Sequence, residues 1–288
     1  MKASIRTTVL SAAALFALPL AAQDKRPQVS PWSQVTQRIG INDVTVTYSR
    51  PGVKGRKIWG ELVPYGKAWR TGANSATNIK FEDDVLFEGT PVSAGTYALF
   101  TIPGEKEWTV GLNKDAKQWG AYNHKPADDV ASVKVTPRTA EGSVEWMDVR
   151  FDDLSVNGAT LVIAWDKLRV PVKIQNKVNT NERVMAQLRQ NIAKAKPGDW
   201  EPYTEAAGYA LEQNVARDEA MGWVDKALAI KKTTFSHFVK GGLLNAAGKT
   251  KEGIVELENA VKAAGPDDAK PFLEEIKGMI AAWKKKVA

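Results

Sequence analysis

The chain has no cysteine and only two histidines among 288 residues. Without cysteine it can form no disulfide, no Cys-ligated zinc or iron–sulfur centre, no thiol nucleophile and no cysteine-linked lipid anchor. Two histidines are too few for a His-rich metal site, so neither a metal nor a cofactor is expected. A strong excess of one charge is missing too: 40 Lys plus Arg stand against 33 Asp plus Glu, for a net +7. Without Lys2 and Arg6 the balance is +5, divided as +2 over residues 23–176 and +3 over 177–288. Acidic clusters at Glu82-Asp83-Asp84, Asp152-Asp153 and Asp267-Asp268 interrupt any basic stripe, and Lys284-Lys285-Lys286 reads as a solvated tail. Nucleic-acid binders gather cations on one face, so nucleic acid is not an expected partner. Past the N-terminus no stretch approaches the roughly 20 apolar residues of a membrane span. What is present is 43% hydrophobic and 25% charged residues, a composition and length suited to two ordinary folded domains.

The first residues combine basic Lys2 and Arg6, an apolar run from Val9 to Leu20, and the small pair Ala21-Ala22. This order predicts a secretory signal peptide over 1–22, cleaved near Ala22, and an exported protein of the periplasm or extracellular space.

Two periodicities divide the remainder. From 23 to 176 apolar residues recur every second position, as in Val44, Val46 and Tyr48, or Tyr97, Leu99 and Thr101. Further runs at Val130 to Val135, Val144 to Phe151, Leu161 to Trp165 and Val170 to Ile174 are short and β-branched, with turn signals at Pro103-Gly104 and Asn157-Gly158. Eight to ten strands without intervening helices predict an antiparallel β-sandwich or jelly-roll-like domain, with Asn157-Gly158 as a tight hairpin turn. From 177 to 288 Ala, Leu, Glu and Lys take over at helical spacing, predicting about six helices. Gly208, Leu211, Ala220, Val224 and Ala227 recur 33 residues later as Gly241, Leu244, Gly253, Leu257 and Ala260. That spacing resembles the tetratricopeptide helical hairpin, so the fold class is α+β multidomain: a β-sandwich followed by all-α helical-hairpin repeats.

The stretch from Ser49 to Asn74 breaks the alternation and reads as a long structured loop. With Ala94-Gly95-Thr96-Tyr97-Ala98-Leu99-Phe100-Thr101-Ile102-Pro103, Trp108-Thr109-Val110, Asn113-Lys114-Asp115 and Gln118-Trp119-Gly120-Ala121-Tyr122, it closely resembles the bacterial exported family known as domain of unknown function 2911, over about residues 27–175. The resemblance implies a β-rich exported domain, joined in some relatives to a tetratricopeptide-like region. It carries no activity, substrate or catalytic residue.

The residues themselves point to binding. A long loop in a compact domain is functional or disordered, and this one is too aromatic for disorder. Arg50, Arg56, Lys57 and Arg70 offer donors to a carboxylate, phosphate or sulfate group. Trp59, Trp69, Trp119 and Tyr122 offer flat faces for a sugar, and Asn74 and Asn123 offer paired donors and acceptors. The opposing reading makes these tryptophans buried anchors that staple the loop down. His124 reads as an exposed loop histidine, and His237 as packing or surface on a repeat helix. The expected function is non-enzymatic binding of a small or glycan-like ligand at the 50–74 loop, with a protein partner at 177–288. The alternatives are an envelope hydrolase using His124 or Glu61, and an assembly scaffold.

Overall fold

The computed structural model describes residues 27–288; the expected signal peptide lies outside them. The described residues form ten strands and then six α-helices. The strands are β1 (Trp32–Ile39), β2 (Asn42–Ser49), β3 (Thr77–Phe81), β4 (Val85–Phe87), β5 (Thr90–Val92), β6 (Gly95–Ile102), β7 (Trp108–Asn113), β8 (Asp129–Val135), β9 (Arg138–Asp152) and β10 (Gly158–Asn176). They build a six-stranded sheet ordered β1-β2-β3-β6-β7-β8 and a four-stranded sheet ordered β5-β4-β10-β9. All pairings are antiparallel.

Alternation decides which face of each sheet turns inward. Val44, Val46 and Tyr48 of β2 are buried while Thr45 and Thr47 stay half-exposed. They join Phe87, Met147, Val149, Leu161, Ile163 and Ile174 of the other sheet in one apolar core. The Tyr48 hydroxyl crosses that core to accept the Val149 N–H at 3.0 Å, so a polar bond pins the two layers in register.

Two sequence expectations change here. Leu161–Trp165 and Val170–Ile174 belong to one strand, β10, which follows continuous β9 and absorbs the mismatch in register shifts around Asp166, a residue at φ 47°. Asn157-Gly158 is not a two-residue hairpin turn: β9 ends at Asp152, and the reversal takes the five residues 153–157. Asn157 instead serves a joint to the helices, its Oδ1 accepting the Thr180 N–H at 2.7 Å. Thr180 Oγ1 donates to the Val156 carbonyl at 2.8 Å, and Asn176 Nδ2 donates to Ile39 O at 2.9 Å and to Thr180 Oγ1 at 3.0 Å. Gly40 lies under Thr180, at φ 62°, where any Cβ would collide.

The helices are α1 (Thr180–Ala193), α2 (Glu201–Gln213), α3 (Arg217–Ile230), α4 (Thr234–Ala246), α5 (Thr250–Lys262) and α6 (Lys270–Val287). Asn179 caps α1 by accepting the N–H groups of Asn181 and Glu182. The pair α2/α3 repeats as α4/α5 at an offset of 33 residues. Ala220, Val224 and Ala227 are fully buried, as are Leu257 and Ala260. Gly241 and Gly253 let α4 and α5 touch backbone to backbone: a Cβ on either would stand 3.0 Å or less from the other's carbonyl oxygen. No described helix is long and apolar enough to cross a membrane.

Candidate functional site

The long connection between β2 and β3 closes one end of the sandwich. It first runs along β9, with Val53 N–H donating to Glu145 O and Met147 N–H to Pro51 O, each at 2.8–2.9 Å. It then turns through Trp59 and Val63, which pair as an isolated bridge. It returns to the other sheet, where Trp69 and Thr101 exchange both backbone bonds at 2.7 and 2.9 Å. The last β3–β6 pair is Thr77 with Leu99. The returning loop therefore takes over the edge of β6 that β3 leaves unpaired.

Tryptophans anchor this course. Trp59 meets Trp69, Trp108 and Trp165 edge-on with centroids 5.8, 4.9 and 5.7 Å apart, and Trp69 stacks on Trp165 at 5.7 Å. Trp69 Nε1 donates to the Gly72 carbonyl at 3.1 Å. The indole N–H groups of Trp59, Trp108 and Trp165 are buried without an acceptor among the described residues.

Just past the anchor the backbone is strained. Buried Thr71 has φ 52° and Asn74 has φ 58°. A β-branched residue in the left-handed region costs about 1–3 kcal/mol and persists only where its surroundings impose it. Here the Thr77 hydroxyl donates to Thr71 O at 2.6 Å, and Thr71 Oγ1 to Thr101 Oγ1 at 3.2 Å.

The strained turn presents Arg70 between two adjoining clefts. One, of about 330 Å³, is lined by Pro51, Lys54, Arg56, Leu62, Val63, Trp69, Arg70, Asn74 and Trp165 among others. The other, of about 310 Å³, shares Leu62, Val63, Trp69 and Arg70 and adds Pro64, Lys67, Ala121 and Tyr122. Both volumes sit at the small end of the range for small-molecule sites. Burial holds the Arg70 guanidinium below its ordinary pKa, an effect the nearby Tyr122 partly offsets; arginine remains a cation throughout.

The structure thus brings together Arg56, Trp69, Arg70, Asn74 and Tyr122. Trp69 serves as anchor and cleft wall at once. Asn74 has its Nδ2 engaged, donating to Ser49 Oγ at 3.2 Å and Gln28 Oε1 at 3.0 Å. Arg56 spends Nε and an Nη on the carbonyls of Val53 and Gly52. Tyr122 stands 87% exposed at the rim. Five expected residues, Arg50, Lys57, Trp59, Trp119 and Asn123, line neither cleft. Arg50 donates to Met147 O at 2.8 Å and Asp148 Oδ1 at 3.2 Å. Lys57 pairs with Glu61 at 2.9 Å on the surface, and Trp119, 63% exposed, bridges to Ser75. Trp165, Val63 and Lys54 are lining residues that sequence reasoning missed. Trp165 sits about a hundred positions from the loop, in a strand whose pattern signals only burial.

The expectation of an exposed His124 is overturned. The 114–128 loop folds onto the outer face of the six-stranded sheet, leaving the His124 side chain 5% exposed. Its Nε2 lies 3.1 and 3.2 Å from the two Asp129 carboxylate oxygens. The ring packs on Phe100 at 4.5 Å. Asn113 Nδ2 donates to Asp129 Oδ1 at 2.7 Å and Gln118 Nε2 to Asn113 Oδ1 at 2.9 Å. His237, on α4, is paired through Nδ1 with Glu256 at 2.7 Å. No cluster of three His, Asp or Glu suited to a metal occurs among the described residues.

Fold and site define the class: two antiparallel sheets around one core, extended by helical repeats, with a cationic and aromatic cleft at one end of the sandwich. The chain belongs to the family described as protein of unknown function (DUF2911), which it matches over residues 30–174. No curated protein and no solved structure matches it.

Proposed function

We propose that this is an exported, non-enzymatic binding protein of the cell envelope that takes a small or glycan-like ligand in the paired clefts around Arg70. The observation that carries the reading is convergence: a basic-aromatic loop, strained at Thr71, sets Arg70 where both clefts meet. Strain at a ligand clamp is repaid by the geometry it fixes. The helical region 177–288 is free in this reading to engage a protein partner. The hydrolase alternative draws no support from its nominated groups, since His124 is engaged by Asp129 and Glu61 by Lys57, outside the lining of either cleft.

The test is a plug. Leu62 is 43% exposed and lines both clefts, so Leu62→Trp fills them with little burden on the core. Thermal shift of the full chain is measured against neutral sugars, sugar acids and small carboxylates. Compounds that raise the melting temperature of the wild type are expected to lose that effect in Leu62→Trp; if every one keeps it, binding occurs elsewhere and the reading fails.

A further inference from the structure

Four arginines in the described residues are half-buried: Arg50, Arg70, Arg150 and Arg169. Three are committed to protein acceptors. Arg50 holds Met147 O and Asp148; Arg150 holds Asp152 at 3.0 Å; Arg169 holds Asp166 O, Leu168 O and Gly142 O, each at 2.9 Å. Arg70 donates to none of the described residues, and its Nε is buried without an acceptor. An arginine carries five N–H donors and a permanent charge, so leaving it partly desolvated and unpaired costs stability with no return inside the fold. Beside it Trp165 lines the same cleft with its own unsatisfied indole N–H. The remaining cationic lining residues are Lys54, Arg56 and Lys67, with no Asp or Glu among the described residues that line either cleft. Glu145, whose Oε1 accepts the Lys54 backbone N–H at 2.9 Å, lines neither cleft.

From this surplus of donors over acceptors we infer that the ligand carries an oxyanion, a carboxylate or a phosphate, seated on Arg70. Its apolar part lies over Val63, Trp69 and Leu62. The inference rests on the clefts being the binding site and adds the chemical class. A guanidinium fork matches two oxygens of one such group, whereas a neutral ligand leaves the charge unpaired.

The probes are benzoate and phenyl phosphate, with benzyl alcohol as the neutral counterpart of similar bulk, added in millimolar steps to the full chain. The readouts are the indole N–H cross-peaks of Trp69 and Trp165 in a 1H–15N spectrum, assigned by single Trp→Phe substitutions. Benzoate, phenyl phosphate or both are expected to shift these peaks saturably, and which one binds tighter identifies the anion. Benzyl alcohol is expected to leave them in place. Arg70→Met, which keeps the stem and removes the charge, is expected to weaken the anion at least about 10-fold while its melting temperature equals or exceeds that of the wild type. Benzyl alcohol binding as tightly as the anions, with Arg70→Met indifferent, overturns the oxyanion and leaves the clefts standing as a neutral site. Anion shifts that persist in Arg70→Met, no shift with either anion, or an Arg70→Met protein that melts well below the wild type each overturn it too, the last by making Arg70 a structural residue. Failure of the clefts as a site is read separately, from hits that survive Leu62→Trp.

Discussion

Two loops interrupt the strand pattern of the sandwich, and they treat their polar groups in opposite ways. The 114–128 loop closes on itself: His124, Asp129, Asn113 and Gln118 hand hydrogen bonds to one another against Phe100, and of this group the Gln118 Oε1 is left without a donor among the described residues. The 50–76 loop is anchored as firmly, through Trp69, Val53 and Val63, yet leaves the Arg70 guanidinium between two clefts with no acceptor among the described residues. A buried polar network whose members bond one another adds rigidity; a half-buried cation that meets no acceptor costs stability and adds none. Whether the charged groups find partners, more than residue type, separates the loop that reads as structural from the one proposed to bind. His124 has the more catalytic chemistry on paper and the more structural surroundings in fact.

The largest effect that sharpens this contrast is expected from Trp69→Ala. It removes an aromatic packed between Trp59 and Trp165, with a loss of about 3–5 kcal/mol in chemical denaturation; a loss below 1 kcal/mol would show that the loop does not depend on this anchor. Next comes Asp129→Ala, which strips the acceptor from His124 and Asn113 in a closed environment. A loss of about 1.5–3 kcal/mol is expected, with Arg70-dependent binding intact. Lost binding at unchanged stability would reverse the roles assigned to the two loops. The smallest effect is expected at Lys57, whose pair with Glu61 is exposed on both sides: after Lys57→Ala neither the unfolding midpoint in chemical denaturation nor ligand affinity should move measurably.

Much of the architecture is legible in the chain. Period-two runs mark strands because one face of a sheet is dry, and the 33-residue recurrence of small and large residues marks the paired helices because Gly241 and Gly253 must meet. Legibility falters where a residue's role depends on a distant one. Asn157-Gly158 carries the local signature of a turn, but the Thr180 N–H, arriving from the start of α1, claims the Asn157 side chain. The Leu161–Trp165 and Val170–Ile174 runs merge because β9 offers an unbroken partner across the break. At the site, Arg56, Trp69, Arg70, Asn74 and Tyr122 could be nominated from composition. Arg50 and Lys57 could not be separated from them, because the acceptors they meet, Met147 O and Glu61, are not encoded at their own positions.

The sequence by itself determined that this protein has no cysteine chemistry, a modest spread-out charge, an antiparallel β region, helical hairpins, and a basic-aromatic loop between its second and third strands. Those properties follow from local periodicity and composition, which every residue carries with it. Only the tertiary structure decided, among the half-buried arginines of the described residues, which are spent on protein acceptors and that Arg70 is not. A hydrogen-bond donor is satisfied or orphaned by atoms that fold up against it from elsewhere, and at Arg70 none of the described residues do.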